Sequence, residues 1–287
     1  MLTISEAAQP VNDRLTDTAG ARAARALRPS VERGRLDEAL HARLHASVEE
    51  GARRLHRTWP SLLATGIVGG VDIGFGVLGL LLVRNATGSQ LLGALAFSIG
   101  FIGLSLADSE LFTENFFLPV AALVGRRGTL YDLARLWTGT LICNLAGGWL
   151  FMGVVVLAFP SLRQTVLAIG SHQPSLGIGT EAFAGAVLGG ALMTLMTWMD
   201  QGTDSPAARL LAAVATAFLL GAGPLNHVIV SSLEAFAALQ VGAPFGYLDW
   251  LGAMAFAGLG NLVGGIGLVT LLRLVQAGGR AVSMVRE

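Results

Sequence analysis

Lysine is missing altogether: all 19 basic side chains are arginine. Charge of either sign is scarce, at 13% of 287 residues, and acids and bases cancel to zero. A zero sum singles out no charged partner, and nothing in the chain points to nucleic acid or ATP. Cysteine occurs once, at Cys143, which excludes an internal disulfide and makes that residue most simply a small core side chain. There is no phosphate-cradling glycine loop, no Cys/His metal cluster and no Ser-His-Asp spacing. No nucleophile sits beside an oriented base, so an enzyme is not expected and no cofactor is called for. His41 and His45 stand four apart, but no Cys or carboxylate at helical spacing completes a metal site. The first 57 residues contain no apolar core, so no cleavable leader is expected and the first span must act as its own insertion signal.

Apolar residues are abundant: 53% of the chain, with 38 glycines and a mean hydropathy of +0.63. Several runs approach or exceed the ~18–20 residues that cross a bilayer. The fold class is therefore an all-α polytopic membrane protein. Six spans are expected: about 62–83, a broken one over 91–123, 136–159 ended by Pro160, 182–199, 210–239 interrupted at 221–224, and 250–275. Residues 58–275 form the transmembrane domain, preceded by an N-terminal segment 1–57 and followed by a tail 276–287. Within the N-terminal segment, residues 1–30 lack a core pattern and are expected to be disordered. Leu36, Leu40, Leu44 and Val48 put a thin apolar stripe on a helix over 31–55, read as a solvated helix lying on the protein or the membrane surface, with a partner-binding helix as the alternative. Trp59, Trp137, Trp149, Trp198 and Trp250 lie near span ends, as an aromatic belt would place them.

With six spans, Arg53, Arg54, Arg57, Arg126, Arg127, Arg135, Arg209, Arg273, Arg280 and Arg286 fall on one side, and only Arg84 and Arg163 on the other. That bias predicts both termini in the cytoplasm. The expected location is the cytoplasmic membrane of a prokaryote, as a multi-pass protein. A repeat supports the count. Asn144-Leu-Ala-Gly-Gly148 in span three matches Asn261-Leu-Val-Gly-Gly265 in span six, and Gly69-Gly70 matches Gly189-Gly190. The interval from Gly70 to Asn144 is 74 residues, and that from Gly190 to Asn261 is 71. Three spans per half make the two halves inverted. The middle span of each is interrupted, a pattern that points to a transport site near the midplane.

The first interruption carries Asp108, Ser109, Glu110, Leu111, Phe112, Thr113, Glu114 and Asn115, three carboxylates between apolar runs. Ionisable groups at that depth normally face a bundle interior or a pathway. The second interruption reads Gly221-Ala-Gly-Pro224, followed by Asn226 and His227, whose ring is placed to face Thr113. Broken helix ends leave positive dipole ends free, which favours an anion. Glu110 is expected to tie or cap the loop backbone. Glu114 and Asn115 are expected to cap the half-helix that follows. Asp72 is either a buried tie between helices or a vestibule residue, and Glu234 borders an outer vestibule or a protomer contact. Phe116 and Phe117 read as packing.

Ser109-Glu-Leu-Phe-Thr-Glu-Asn115, Asn226-His227 and the paired Asn-x-x-Gly-Gly stretches resemble the formate/nitrite transporter family over roughly 57–273. The resemblance implies an aquaporin-like six-helix protomer, a homopentamer in the lipid bilayer, and one pore per protomer for small monovalent anions such as formate or nitrite. It implies that Leu111, Phe112 and Thr113 form a central loop beside His227, with Glu110 and Asn226 nearby. Apolar constrictions lie above and below, for which Phe97 and Phe101 are candidates. Asn144 and Asn261 belong to the repeat packing. The chain departs from better-known members at Glu114, Asp108, Gly190 and the segment after His227. A titratable ring with an ordinary pKa of ~6.5 allows a proton to join the anion at or near His227, or the ring only stabilises the anion. The alternatives are a water or small-neutral-solute channel on the same architecture, and a non-conducting membrane sensor or scaffold.

Overall fold

The computed structural model describes residues 38–223 and 225–276. Leu36, Pro224, Arg280 and Arg286, the expected disorder of 1–30 and nearly all of the expected tail lie outside them. The chain divides after Arg43 into two units. Of the first, the described part is helical. Everything below concerns the second, from Leu44 onward.

In it a helix over 44–55 (α1) leads into α2 (Trp59–Thr87), α3 (Gln90–Leu106), a 3₁₀ turn (Phe112–Phe116), α4 (Leu118–Val124) and α5 (Leu130–Ala158). A turn and two short helices, α6 (Arg163–Gly170) and α7 (His172–Leu176), lead to the second half. There α8 (Thr180–Asp200), α9 (Pro206–Ala222), α10 (Val228–Gln240) and α11 (Tyr247–Leu262) follow, and α11 continues through a π-helical stretch, Val263–Thr270. Among the described residues, four helices are long and apolar enough to cross a membrane, one of them the continuous 247–276. The pairs α3/α4 and α9/α10 are shorter apolar helices, and each pair makes one broken span. Six spans result, at the expected places.

Local chemistry sets the ends. Ser89 and Ser205 accept the Leu92 and Ala208 N–H groups at the starts of α3 and α9. Thr129 and Asp132 form a reciprocal capping box at the start of α5. Gly88, at φ 68, closes α2 in the left-handed conformation that only glycine adopts without cost.

From Leu44 onward α1 lies on the protein, one of the two settings expected for it: Leu44, Ser47, Val48 and Leu55 are all buried, and a Cβ on Gly51 would run into the Leu118 carbonyl. The cover over its apolar stripe is the start of α4. Not all five tryptophans form a belt. Trp59 and Trp149 are exposed, whereas Trp198 is buried against Phe117 and Trp137 donates its indole N–H to the Asn115 carbonyl at 2.9 Å.

Candidate functional site

In hydrocarbon a broken helix must have its freed N–H and C=O groups satisfied by protein. Two asparagines do this. Asn144 on α5 accepts the Phe112 N–H at 2.9 Å and donates to the carbonyls of Glu110 at 2.9 Å and Gly66 at 2.7 Å. Asn261 on α11 accepts the Val228 N–H at 2.9 Å and donates to the carbonyls of Asn226 at 2.9 Å and Ala186 at 2.7 Å. Both asparagines are wholly buried. Each amide bridges the two sides of a break to an intact neighbouring helix. Gly70 and Gly190 let those neighbours close in: a Cβ on either would collide with the backbone carbonyl of Asn144 or Asn261. The intervals counted from the sequence therefore join residues in contact.

The two breaks meet at one pair of side chains. His227 Nε2 lies 2.7 Å from Thr113 Oγ1, and both residues are fully buried. His227 is also the N-cap of α10: the Val230 N–H donates to its Nδ1 at 3.3 Å. Nδ1 thus offers its lone pair, so the ring proton sits on Nε2 and is donated to Thr113. The Thr113 hydroxyl proton is then left to point elsewhere. This is a neutral ring that polarises a hydroxyl.

The first break is held by many ties. Glu114 Oε2 accepts the Leu111 N–H at 2.9 Å, so it caps the 3₁₀ turn backwards rather than the half-helix after it. Asn115 also does not cap α4: it donates to the Leu111 carbonyl at 3.4 Å and accepts from Arg54 Nη1 at 3.3 Å. Glu110 does not tie the loop backbone with its side chain. Its Oε1 is ion-paired with Arg57 at 2.8 Å and Arg54 at 3.1 Å. In the sequence Arg54 and Arg57 read only as a topology signal; Arg54 follows Glu50 by four on one face of α1, and Arg57 stands just past the end of that helix. Ser109 donates to Asp72 at 2.5 Å, which makes Asp72 a tie between α2 and the loop. The Thr270 hydroxyl, at the end of the π-helical stretch, donates between the Phe116 carbonyl at 2.8 Å and the Gly265 carbonyl at 3.0 Å. Phe116 packs on Phe112 and Trp137, and Asp108, exposed, takes a left-handed φ of 51.

Cavities open on both sides of this waist. On the α1 side, about 530 Å³ is lined by Arg53, Arg54, Arg57 and Arg209, and by Glu50, Asp108, Glu110, Glu114 and Asp200. On the opposite side, about 150 Å³ is lined mainly by apolar groups, including Phe97, Leu220, Leu225 and Val230, with Arg84, His172 and Glu234 among them. Phe97 thus borders the second cavity, and Phe101, fully buried, stacks edge-on against it at 5.4 Å. Among the described residues, no three His, Cys, Asp or Glu converge as metal ligands.

Two helices broken inside a membrane bundle, their ends meeting at a polar contact between opposed cavities, define a channel or transporter. The chain belongs to the formate/nitrite transporter family, whose model matches residues 41–275. An uncharacterized transporter of Bacillus subtilis, YrhG, is 28% identical over 80% of this chain and 90% of its own length. A solved FNT family ion channel superposes with a TM-score of 0.75 at 17% identity, covering 83% of this chain and 98% of that one. A pentameric formate channel with formate bound gives a TM-score of 0.64 at 22% identity, covering 76% and 97%. The six-span, aquaporin-like architecture with helices two and five broken is shared with these structures.

Proposed function

We propose that the chain carries small monovalent weak-acid anions of the formate and nitrite class through one pore per protomer of a homopentamer. The route runs from one cavity, past Phe97 and Phe101, through the Leu111–Phe112–Thr113 loop beside His227, to the other. The observation that carries this is the 2.7 Å contact between His227 and Thr113 at the junction of the two breaks. A bare carboxylate in a dry waist costs several kcal/mol, as buried charges do. A hydroxyl whose oxygen already accepts from the imidazole has its proton turned outward, toward an oxygen of the substrate, whether anion or neutral acid. The fold-related channel that holds formate as a pentamer supports both the substrate class and the assembly. Exposed apolar side chains on the outer helix faces, such as Leu150, Val154, Leu157 and Leu188, suit lipid or a neighbouring protomer. The arginines gathered on the α1 side favour a cytoplasmic placement of that side, and Glu110 with its two arginines fixes the loop from there.

The five carboxylates of the α1-side cavity favour a second reading, a path for water or a small neutral solute. Labelled formate and nitrite flux in proteoliposomes, set beside osmotic swelling, separates the two. His227→Ala is expected to cut anion flux at least about tenfold, as loss of one preorganised donor does. Undiminished flux in an assembled His227→Ala protein would sink the proposal.

A further inference from the structure

Glu234 is the one carboxylate lining the cavity opposite α1, and the waist chemistry has not used it. It follows His227 by seven residues on α10, so the two share a helix face about 10.5 Å apart along the axis. Val230, whose N–H is capped by the His227 ring, lies between them and lines the same cavity. The apolar side chains Phe97, Leu220, Leu225 and Val230 close the cavity toward the waist. The charged or titratable side chains facing Glu234 there are Arg84 from α2 and His172 from α7; α3 adds the neutral Gln90, and α7 also Gln173. The elements α6 and α9 contribute only apolar side chains and backbone. Of the others packed on α10, α5 has its charged residues, Asp132 and Arg135, in its first two turns, away from the cavity. On α11, Asp249 holds the Gly246 N–H. Among the described residues, no ion pair closes between Glu234 and Arg84, the arginine that lines the same cavity.

From this placement we infer that Glu234 is the proton donor that neutralises a weak-acid anion in this cavity before it enters the apolar neck. The inference rests on the transport reading above. Arg84 draws the anion in. Two carboxylates cannot both remain ionised side by side, so Glu234 and the bound anion share one proton. The step balances simply. The Glu234 O–H bond breaks and an O–H bond forms on the substrate, leaving Glu234 as carboxylate and the substrate as neutral acid. A proton from the bulk on that side, relayed as hydronium through water at the cavity mouth, then reprotonates the Glu234 carboxylate, so each turnover takes up one proton with one anion. Donor and acceptor have similar ordinary acidities, so the transfer is near thermoneutral and runs both ways. His227 is poorly placed for this task, because its Nδ1 is occupied by the Val230 N–H and its proton is committed to Thr113. The cavity, about 150 Å³, holds a small anion with several waters.

The test uses the full-length assembled protein in oriented proteoliposomes, with formate as the probe and pH on the Arg84 side stepped from about 5.5 to about 7.5. Wild-type uptake falls as pH rises. Glu234→Gln is expected to lower uptake at the acid end about tenfold and to flatten the profile, since an amide cannot give up a proton. Glu234→Asp restores the slope. Arg84→Gln raises the KM several-fold and leaves the slope alone. A Glu234→Gln protein with wild-type slope and amplitude overturns the inference. So does an assembled Glu234→Asp protein as flat as Glu234→Gln, which would assign the loss to packing. A wild type that moves no formate or nitrite at any pH fails the transport reading itself, and the inference falls with it.

Discussion

The two breaks are built on one plan and finished differently. Each is spanned by an asparagine making one accepted and two donated hydrogen bonds, and the corresponding distances are the same: 2.9, 2.9 and 2.7 Å in both halves. By those bonds Glu110 corresponds to Asn226, Leu111 to His227 and Phe112 to Val228. What differs is the cargo at corresponding positions. Where the first half has an apolar side chain, Leu111, the second has an imidazole. Where the first has a carboxylate tied to two arginines, the second has an amide whose Oδ1 finds no hydrogen-bond partner among the described residues. The first break also needs a 3₁₀ turn and ties from α1, α2, α5 and the π stretch, while the second passes from α9 to α10 in a few residues. The lesson is a division of labour. The symmetric bonds make a break tolerable in hydrocarbon, and the asymmetric residues make it do something.

The largest effect is expected from removing a clamp. Asn144→Ala orphans the Phe112 N–H and the Glu110 carbonyl and also loses the Gly66 contact; Asn261→Ala does the same to Val228, Asn226 and Ala186. At about 1–3 kcal/mol for each buried group left unsatisfied, either loss is a large share of a marginal stability. Both variants should fail to assemble, or melt far below wild type, by size-exclusion chromatography and thermal unfolding in detergent. If one collapses and the other melts like wild type, the two clamps are not equivalent and the comparison breaks.

Much of this plan was legible in the sequence, because it is written in features that hydrocarbon makes expensive. Carboxylates at 108–114, paired Asn-x-x-Gly-Gly stretches and a histidine after a glycine-rich stop have few places to go in a membrane bundle. The contact between His227 and Thr113 was expected from them. The partners of Glu110 were not. An arginine before the first span reads as a topology signal whether or not it reaches 53 or more residues along the chain to a loop, and nothing local distinguishes the two. The backward cap of Glu114 was hidden for a related reason: a carboxylate three residues after Leu111 suits either a 3₁₀ turn beginning there or a helix following it. The short helices α6 and α7 escaped notice because two prolines and a stretch of mixed polarity resemble a loop. Their burial against α10, where a Cβ on Gly170 would strike the Glu234 carbonyl, comes only from the tertiary fold.

A middle-sized effect probes the difference between Glu110 and Asn226. Breaking a buried ion pair costs about 3–5 kcal/mol, but Arg54 and Arg57 border a water-accessible cavity at 14% and 22% exposure, so the loss is screened. Glu110→Gln should therefore destabilise by about 1–3 kcal/mol, read as a lower Tm. Asn226→Leu, at the matching position, removes an amide oxygen that has no partner and should cost less than about 1 kcal/mol. Equal losses at the two positions would mean that Glu110 contributes by filling space, and that its charge is incidental.

The smallest effect concerns backbone strain, which also falls on one side of the comparison. Asp108 has φ 51, while the described residues of the second break, 223 and 225–227, have no positive φ. A non-glycine residue in the left-handed region costs up to about 1–2 kcal/mol, least for Asp and Asn, whose short polar side chains bond locally. Asp108 is exposed at the cavity rim, so its side chain contributes little packing to offset that cost. Asp108→Gly should then raise stability by a few tenths to about 1 kcal/mol, a rise in Tm of a degree or two, and Asp108→Val should lower it by more. The sign separates two accounts of the longer break. A gain with glycine and unchanged anion flux makes the left-handed turn a cost of threading eleven residues, 107–117, between α3 and α4. A loss with glycine makes the Asp108 carboxylate itself part of what holds the loop, alongside Glu110 and Glu114.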